Sequence, residues 1–126
     1  MRAVDTNLLL RLVVGDEPAQ AAAAEQFVRP GAWVSLLVLM ETVWALGSVY
    51  RVPAANVADA VEGLLDHNRL VIEEASVVKR ALAQYRAHPK LGFSDCLILE
   101  VARARGHMPL GTFDRGLGKL PGAQKV

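Results

Sequence analysis

The stretch Arg2-Ala3-Val4-Asp5-Thr6-Asn7-Leu8-Leu9-Leu10 decides the fold. Arg2-Ala3-Val4 reads as a short strand, cut off by Asp5-Thr6-Asn7, three residues of helix-capping type. Leu8 to Val14 then reads as a short helix stopped by Gly15-Asp16. A strand that ends on an acid and passes at once into a helix opens an alternating chain. Outward from it the alternation continues. Pro18 opens a helix through the alanine block to about Arg29, ended by Pro30-Gly31. Trp33-Val34-Ser35 is a second strand, Leu36 to Tyr50 a strongly apolar helix, and Pro53 begins another helix ending near His67-Asn68.

Leu70-Val71-Ile72 is a brief β-branched run, hence a strand. Ser76 is expected to cap a helix to about His88, and Ser94 one that reaches Arg105 and closes at Gly106. His107 to Gly111 leads into a strand ending at Thr112-Phe113-Asp114, and the tail from Leu117 is a loop with room for one last short strand. Short apolar strands alternating with helices predict a parallel sheet covered on both faces, an α/β/α sandwich of four to five strands. Ligands of such sheets sit beyond the carboxyl ends of strands, where Asp5 and Asp114 are expected.

No repeat, low-complexity tract or linker interrupts the 126 residues, so a single domain spanning 1–126 is expected. With 52% hydrophobic and 21% charged residues the composition is that of a globular protein. No apolar run approaches the roughly 18 residues of a membrane span. An acid at position 5 stands where a signal peptide needs an apolar stretch, so a cytoplasmic location is expected. The lone Cys96 excludes an internal disulfide and a cysteine-based zinc site. Charge is uneven: residues 1–75 hold five Lys/Arg against ten Asp/Glu, and residues 76–126 hold nine against three. The basic half can attract phosphates, or its charges can be an ordinary solvated face.

Four carboxylates carry the chemistry. Asp5 follows a strand, where a helix N-cap is the plain alternative. Glu41 has Leu37, Val38, Trp44 and Ala45 at helical spacing, so burial is expected, which is costly unless the carboxylate is paired or holds a cation. Asp95 heads a stripe of Ile98, Leu99 and Ala102 in a first turn, where the helix dipole alone would favour an acid. Glu100, about 140° further round that helix, is read as surface. Asp114 precedes Arg115-Gly116 and has a turn aspartate as its alternative, while Thr112 can share its side of the strand. Crowded carboxylates repel unless a cation compensates. Hard oxygen ligands without cysteine favour Mg²⁺ or Mn²⁺. A metal held so can activate water against a phosphodiester.

These residues match a known pattern. Val4-Asp5-Thr6-Asn7-Leu8-Leu9, Glu41 within Leu37-Val38-Leu39-Met40-Glu41-Thr42, Phe93-Ser94-Asp95-Cys96-Leu97-Ile98 and Gly111-Thr112-Phe113-Asp114-Arg115-Gly116-Leu117 resemble, in order, the four acidic motifs of PIN-domain proteins, specifically the VapC-type ribonuclease toxins of toxin–antitoxin systems. The resemblance spans essentially the whole chain. It implies a PIN-like α/β/α fold, Mg²⁺-dependent endonucleolytic cleavage of RNA such as tRNA, a homodimer, and inhibition by a cognate antitoxin. It further implies Asp5 and Asp95 as direct metal ligands, Glu41 and Asp114 completing the cluster through water, and Thr112 positioning a ligand or water.

His67, His88 and His107 share no metal-ligand spacing and read as surface or capping residues. Trp33 and Trp44 read as core or dimer interface rather than base-stacking platforms. Arg115 stands beside the proposed site, and Lys79, Arg80, Arg86 and Lys90 can guide RNA or be a wet helix face. Two rivals remain: a phosphoacceptor receiver domain, disfavoured because the mid-chain acid lies on a helix, and a catalytically silent binding module of the same fold.

Overall fold

The computed structural model describes all 126 residues. Its elements run β1 (Arg2–Ala3), α1 (Thr6–Val14), α2 (Pro18–Val28), β2 (Ala32–Val34), α3 (Leu36–Ser48), α4 (Ala54–Asp66), β3 (Leu70–Ile72), α5 (Ala75–Ala87), α6 (Phe93–Ala104), β4 (Leu110–Thr112) and β5 (Ala123–Lys125), with a 3-10 turn at Leu117–Lys119 before β5. This is the expected α/β class, with six helices and strands that pair only in parallel. The chain divides into two compact units, Met1–Ala75 and Ser76–Val126.

The first unit is built on a three-stranded sheet in the order β1-β2-β3. Arg2 pairs with Ala32, and Ala32, Trp33 and Val34 pair with Leu70, Val71 and Ile72. Ala32, Val34, Leu70 and Ile72 are buried on one face, whereas Trp33 and Val71, in register on the other, stay 37% and 49% exposed. Each helix here starts or stops on a local device. Gly15, at φ 67, takes the left-handed conformation that ends α1. Pro18 opens α2 at a position whose N–H has no partner in any helix. Ser35, expected as the last residue of a strand, instead caps α3, its Oγ accepting from the Val38 N–H at 3.1 Å. Arg11 ties α1 to its neighbours, donating to Gln20, Asp16 and the Tyr50 hydroxyl.

In the second unit β4 and β5 form a separate parallel pair, Leu110 to Ala123 through Thr112 to Lys125. The main sheet therefore has three strands, not the four to five expected. Strands of two or three residues offer too few ladder bonds to show from sequence which partners they take. Leu99, Leu117 and Leu120 form a core cluster, with Leu91, Leu110 and Ala123 packed against it. Tyr85 meets Phe93 edge-on at 5.8 Å between ring centroids.

Two caps expected from sequence are not caps. The helix α5 begins at Ala75, before Ser76, and α6 begins at Phe93 with Gly92 at its cap position, so Ser94 lies inside the first turn. The strand expected to end at Asp114 stops at Thr112, and Phe113 turns out to solvent. Gly106 closes α6 as expected, at φ 77.

Candidate active site

Asp5 stands two residues beyond β1, with the Val4 N–H still donating to the Trp33 carbonyl. It is the N-cap of α1: its extended backbone stops the strand, and Oδ1 accepts from the Leu8 N–H at 2.9 Å. The capping role and a ligand role are compatible. An ionised carboxylate has about four lone-pair sites, and the cap uses one of them. The side chain is exposed, so nothing bars its approach to a cation.

Glu41 corrects an expectation. It lies in the second turn of α3 but is exposed, and so are its neighbours Leu37 (75%) and Trp44 (66%). The buried face carries Leu39, Thr42, Val43, Ala45 and Leu46 instead. Because α3 is apolar around most of its circumference, apolar neighbours at helical spacing did not identify the face that packs. Trp44 is for the same reason not a core residue of this chain.

In the second unit two acids share one electrostatic environment. Asp95 is the third residue of α6, half-buried, and its carboxyl is pushed above the usual range first by burial and then by the negative charge of Asp114. Asp114 is held by its own loop. Its Oδ2 accepts from the Leu117 N–H at 2.6 Å, which caps the 3-10 turn, and its backbone N–H donates to Thr112 Oγ1 at 3.0 Å. Thr112 thus positions Asp114 directly. Gly116 makes room for this loop: a Cβ there would stand 3.0 Å from Leu91 Cδ2 and 3.4 Å from Asp114 Oδ2. Arg115, between them, is exposed. Neither unit by itself gathers three or more His, Cys, Asp or Glu side chains placed to hold a metal ion.

The PIN domain profile matches residues 2–123, from β1 into β5 and through all four acidic segments. The chain belongs to the PIN domain family. No curated protein and no solved structure gives a significant match. The PIN domain is a nuclease-type fold whose nucleases generally use divalent metals.

Several other residues of this PIN domain bear on the chemistry. Cys96, fully buried, has its thiol pushed up to about 11 by burial and by the charges of Asp95 and Glu100, so it is not a nucleophile near neutral pH. His67 accepts from the Arg69 N–H through Nδ1 at the end of α4, a capping role, and His88 and His107 are exposed. Glu73 was overlooked in sequence: directly after β3, it accepts from the Leu36 N–H at 2.8 Å and helps cap α3. An acid immediately after a strand, the pattern of Asp5, was its signal. Glu100 is not a surface residue. It is 3% exposed, paired with Arg103 Nε at 3.2 Å and approached by Gln84 Nε2 at 3.4 Å, which offsets the cost of burying its charge. No helix of the chain is long and apolar enough to cross a membrane.

Proposed function

We propose that this PIN domain is a Mg²⁺- or Mn²⁺-dependent endoribonuclease, the toxin of a toxin–antitoxin pair, acting in the cytoplasm as one domain over residues 1–126. Asp5, Glu41, Asp95 and Asp114 are its catalytic acids and metal ligands, and Thr112 sets the position of Asp114. The observation that carries this reading is the Asp95–Asp114 pair. Asp95 is a half-buried acid destabilised in its ionised form by a second acid, within a family match that spans the chain. A divalent cation relieves such repulsion, and an all-oxygen donor set of carboxylates fits Mg²⁺ or Mn²⁺ rather than zinc. When bound, that cation supplies positive charge to a phosphoryl oxygen and promotes attack of water at phosphorus.

The protein's own residues do the rest. Asp5 is oriented by its cap bond and Asp114 by Thr112 and Leu117, so both carboxylates are held before any ligand arrives. With no histidine beside these acids in sequence and the thiol of Cys96 protonated, neither a histidine base nor a covalent cysteine step is part of the proposal. RNA such as tRNA is the proposed substrate, a cognate antitoxin the proposed inhibitor, and a homodimer the proposed assembly.

Purified protein incubated with total RNA tests the reading. Mg²⁺ or Mn²⁺ is expected to support cutting at few sites and EDTA to stop it. Asp5→Asn is expected to lower the rate at least 100-fold, on the scale of losing one strong electrostatic contact to the transition state. Equal cutting by wild type and Asp5→Asn would assign the activity to a contaminant. A folded protein that binds RNA but leaves it intact would favour the silent binding module.

A further inference from the structure

The second unit carries nine Lys/Arg and only three acids, Asp95, Glu100 and Asp114. Asp95 and Asp114 belong to the proposed metal site, and Glu100 is buried. The solvent-facing surface of this unit is therefore predominantly basic. On it an open cavity of about 440 Å³ is lined by Arg80, Ala83, Gln84, Glu100, Arg103 and Pro121.

The cavity holds an arginine fixed in advance. Arg103 donates through Nε to Glu100 at 3.2 Å and through Nη2 to the Pro121 carbonyl at 2.5 Å. Its guanidinium lies against Gly122, where a Cβ would stand 2.9 Å from Nη1 and 3.0 Å from Nη2. The side chain is still 36% exposed. Glu100 neutralises Arg103 and holds its fork in one orientation, which leaves the exposed Arg80 across the cavity as net positive charge. A guanidinium held in place, beside a second and exposed guanidinium on the same cavity, offers the positive charge and N–H donors that a phosphodiester group accepts.

We propose that this groove between α5 and α6 binds the RNA backbone outside the cleavage site, as a sequence-independent phosphate clamp. The proposal rests on the ribonuclease reading for the identity of the polyanion, and deepens it. Arg103 lies eight residues along α6 from Asp95, about 12 Å of helix axis, or three to four steps of a stacked strand at about 3.4 Å each. The clamp therefore favours substrates that extend several nucleotides beyond the cut.

Binding of an unstructured 12-nucleotide RNA to the full-length protein in EDTA, followed by fluorescence anisotropy over a salt series, tests this without cleavage. Arg80→Ala is expected to weaken binding three- to tenfold at low salt. It should also lower the magnitude of the log K against log salt slope by about 0.7, the loss of one single-strand phosphate contact. Arg80→Lys should stay near wild type. Arg29→Ala, which removes the same charge from the end of α2, should leave both quantities close to wild type. Equal effects of Arg80→Ala and Arg29→Ala, or none from either, would overturn the clamp. Displacement of the RNA by polyglutamate as readily as by poly(U) would overturn it too, in favour of an acidic protein partner. The two readings fail separately. Intact RNA with Arg80-dependent binding removes only the nuclease, and normal cleavage with Arg80-independent binding removes only the clamp.

Discussion

Asp95 is under two pressures of the same sign. Burial in the first turn of α6 and the charge of Asp114 both favour its protonated form, so its folded-state pKa lies above the unfolded value. A group shifted this way lends stability below its unfolded pKa and loses that contribution as pH rises through the folded pKa. At neutral pH, without a cation, the ionised carboxylate opposes folding. Asp95→Asn is therefore expected to abolish RNA cleavage and yet raise the metal-free melting temperature. The gain is at most about 1 kcal/mol, because the site is half open and solvent screens the charge. Thermal melts in EDTA check it: the advantage of the variant should be present at pH 7 and shrink as pH falls into the carboxylate range. A variant that melts no higher than wild type at pH 7 would mean that protein groups already compensate the Asp95 charge, leaving less for a cation to relieve.

At the scale of the element, α3 shows how the helix that carries the proposed site residue Glu41 is anchored. Its first turn leaves N–H groups unpaired, and two acceptors meet them: Ser35 Oγ takes Val38 and Glu73 takes Leu36. Ser35→Ala and Glu73→Ala are each expected to cost about 1 kcal/mol in urea denaturation. Glu73→Gln keeps the acceptor and should recover most of that loss. If it recovers none, the charge of Glu73 at the helix N-terminus matters more than the bond. What could be read in advance divides along similar lines. Asp5 as a cap, Pro18 as a helix start and Gly15 and Gly106 as helix ends were legible because each is a local event with one residue type to signal it. Ser94 misled because its side chain suits a cap while the backbone of Gly92 takes that place. Glu41 was located but assigned to the wrong face, since α3 offers apolar residues on nearly every side. Glu100 was expected at the surface but is buried, because its partner Gln84 comes from α5, and no spacing within α6 reveals such a neighbour. The split into a three-stranded sheet and a separate pair was invisible for want of strand length.

The proposed acids come two from each unit of the molecule: Asp5 and Glu41 precede Ala75, Asp95 and Asp114 follow it. That division makes cation binding a test at the scale of the whole chain. A ligand that binds only the folded protein stabilises it by RT ln(1 + [L]/Kd), about 2.7 kcal/mol at 100 times Kd. If all four acids serve one cation, Mn²⁺ titrated into the wild type should raise the melting temperature progressively. Asp5→Asn and Asp95→Asn should then each blunt the rise, although they alter different units. Calorimetric scans against metal concentration, with Ca²⁺ as a second oxygen-seeking ion, supply the comparison. Should Asp95→Asn remove the effect while Asp5→Asn leaves it whole, the ion is held within residues 76–126 alone, and Asp5 keeps only its capping role. Should neither variant change it, the ion binds elsewhere and the four-acid assignment falls. Blunting by both is the outcome that a single shared cation requires, because the stabilisation is lost whichever side of its ligand set is weakened.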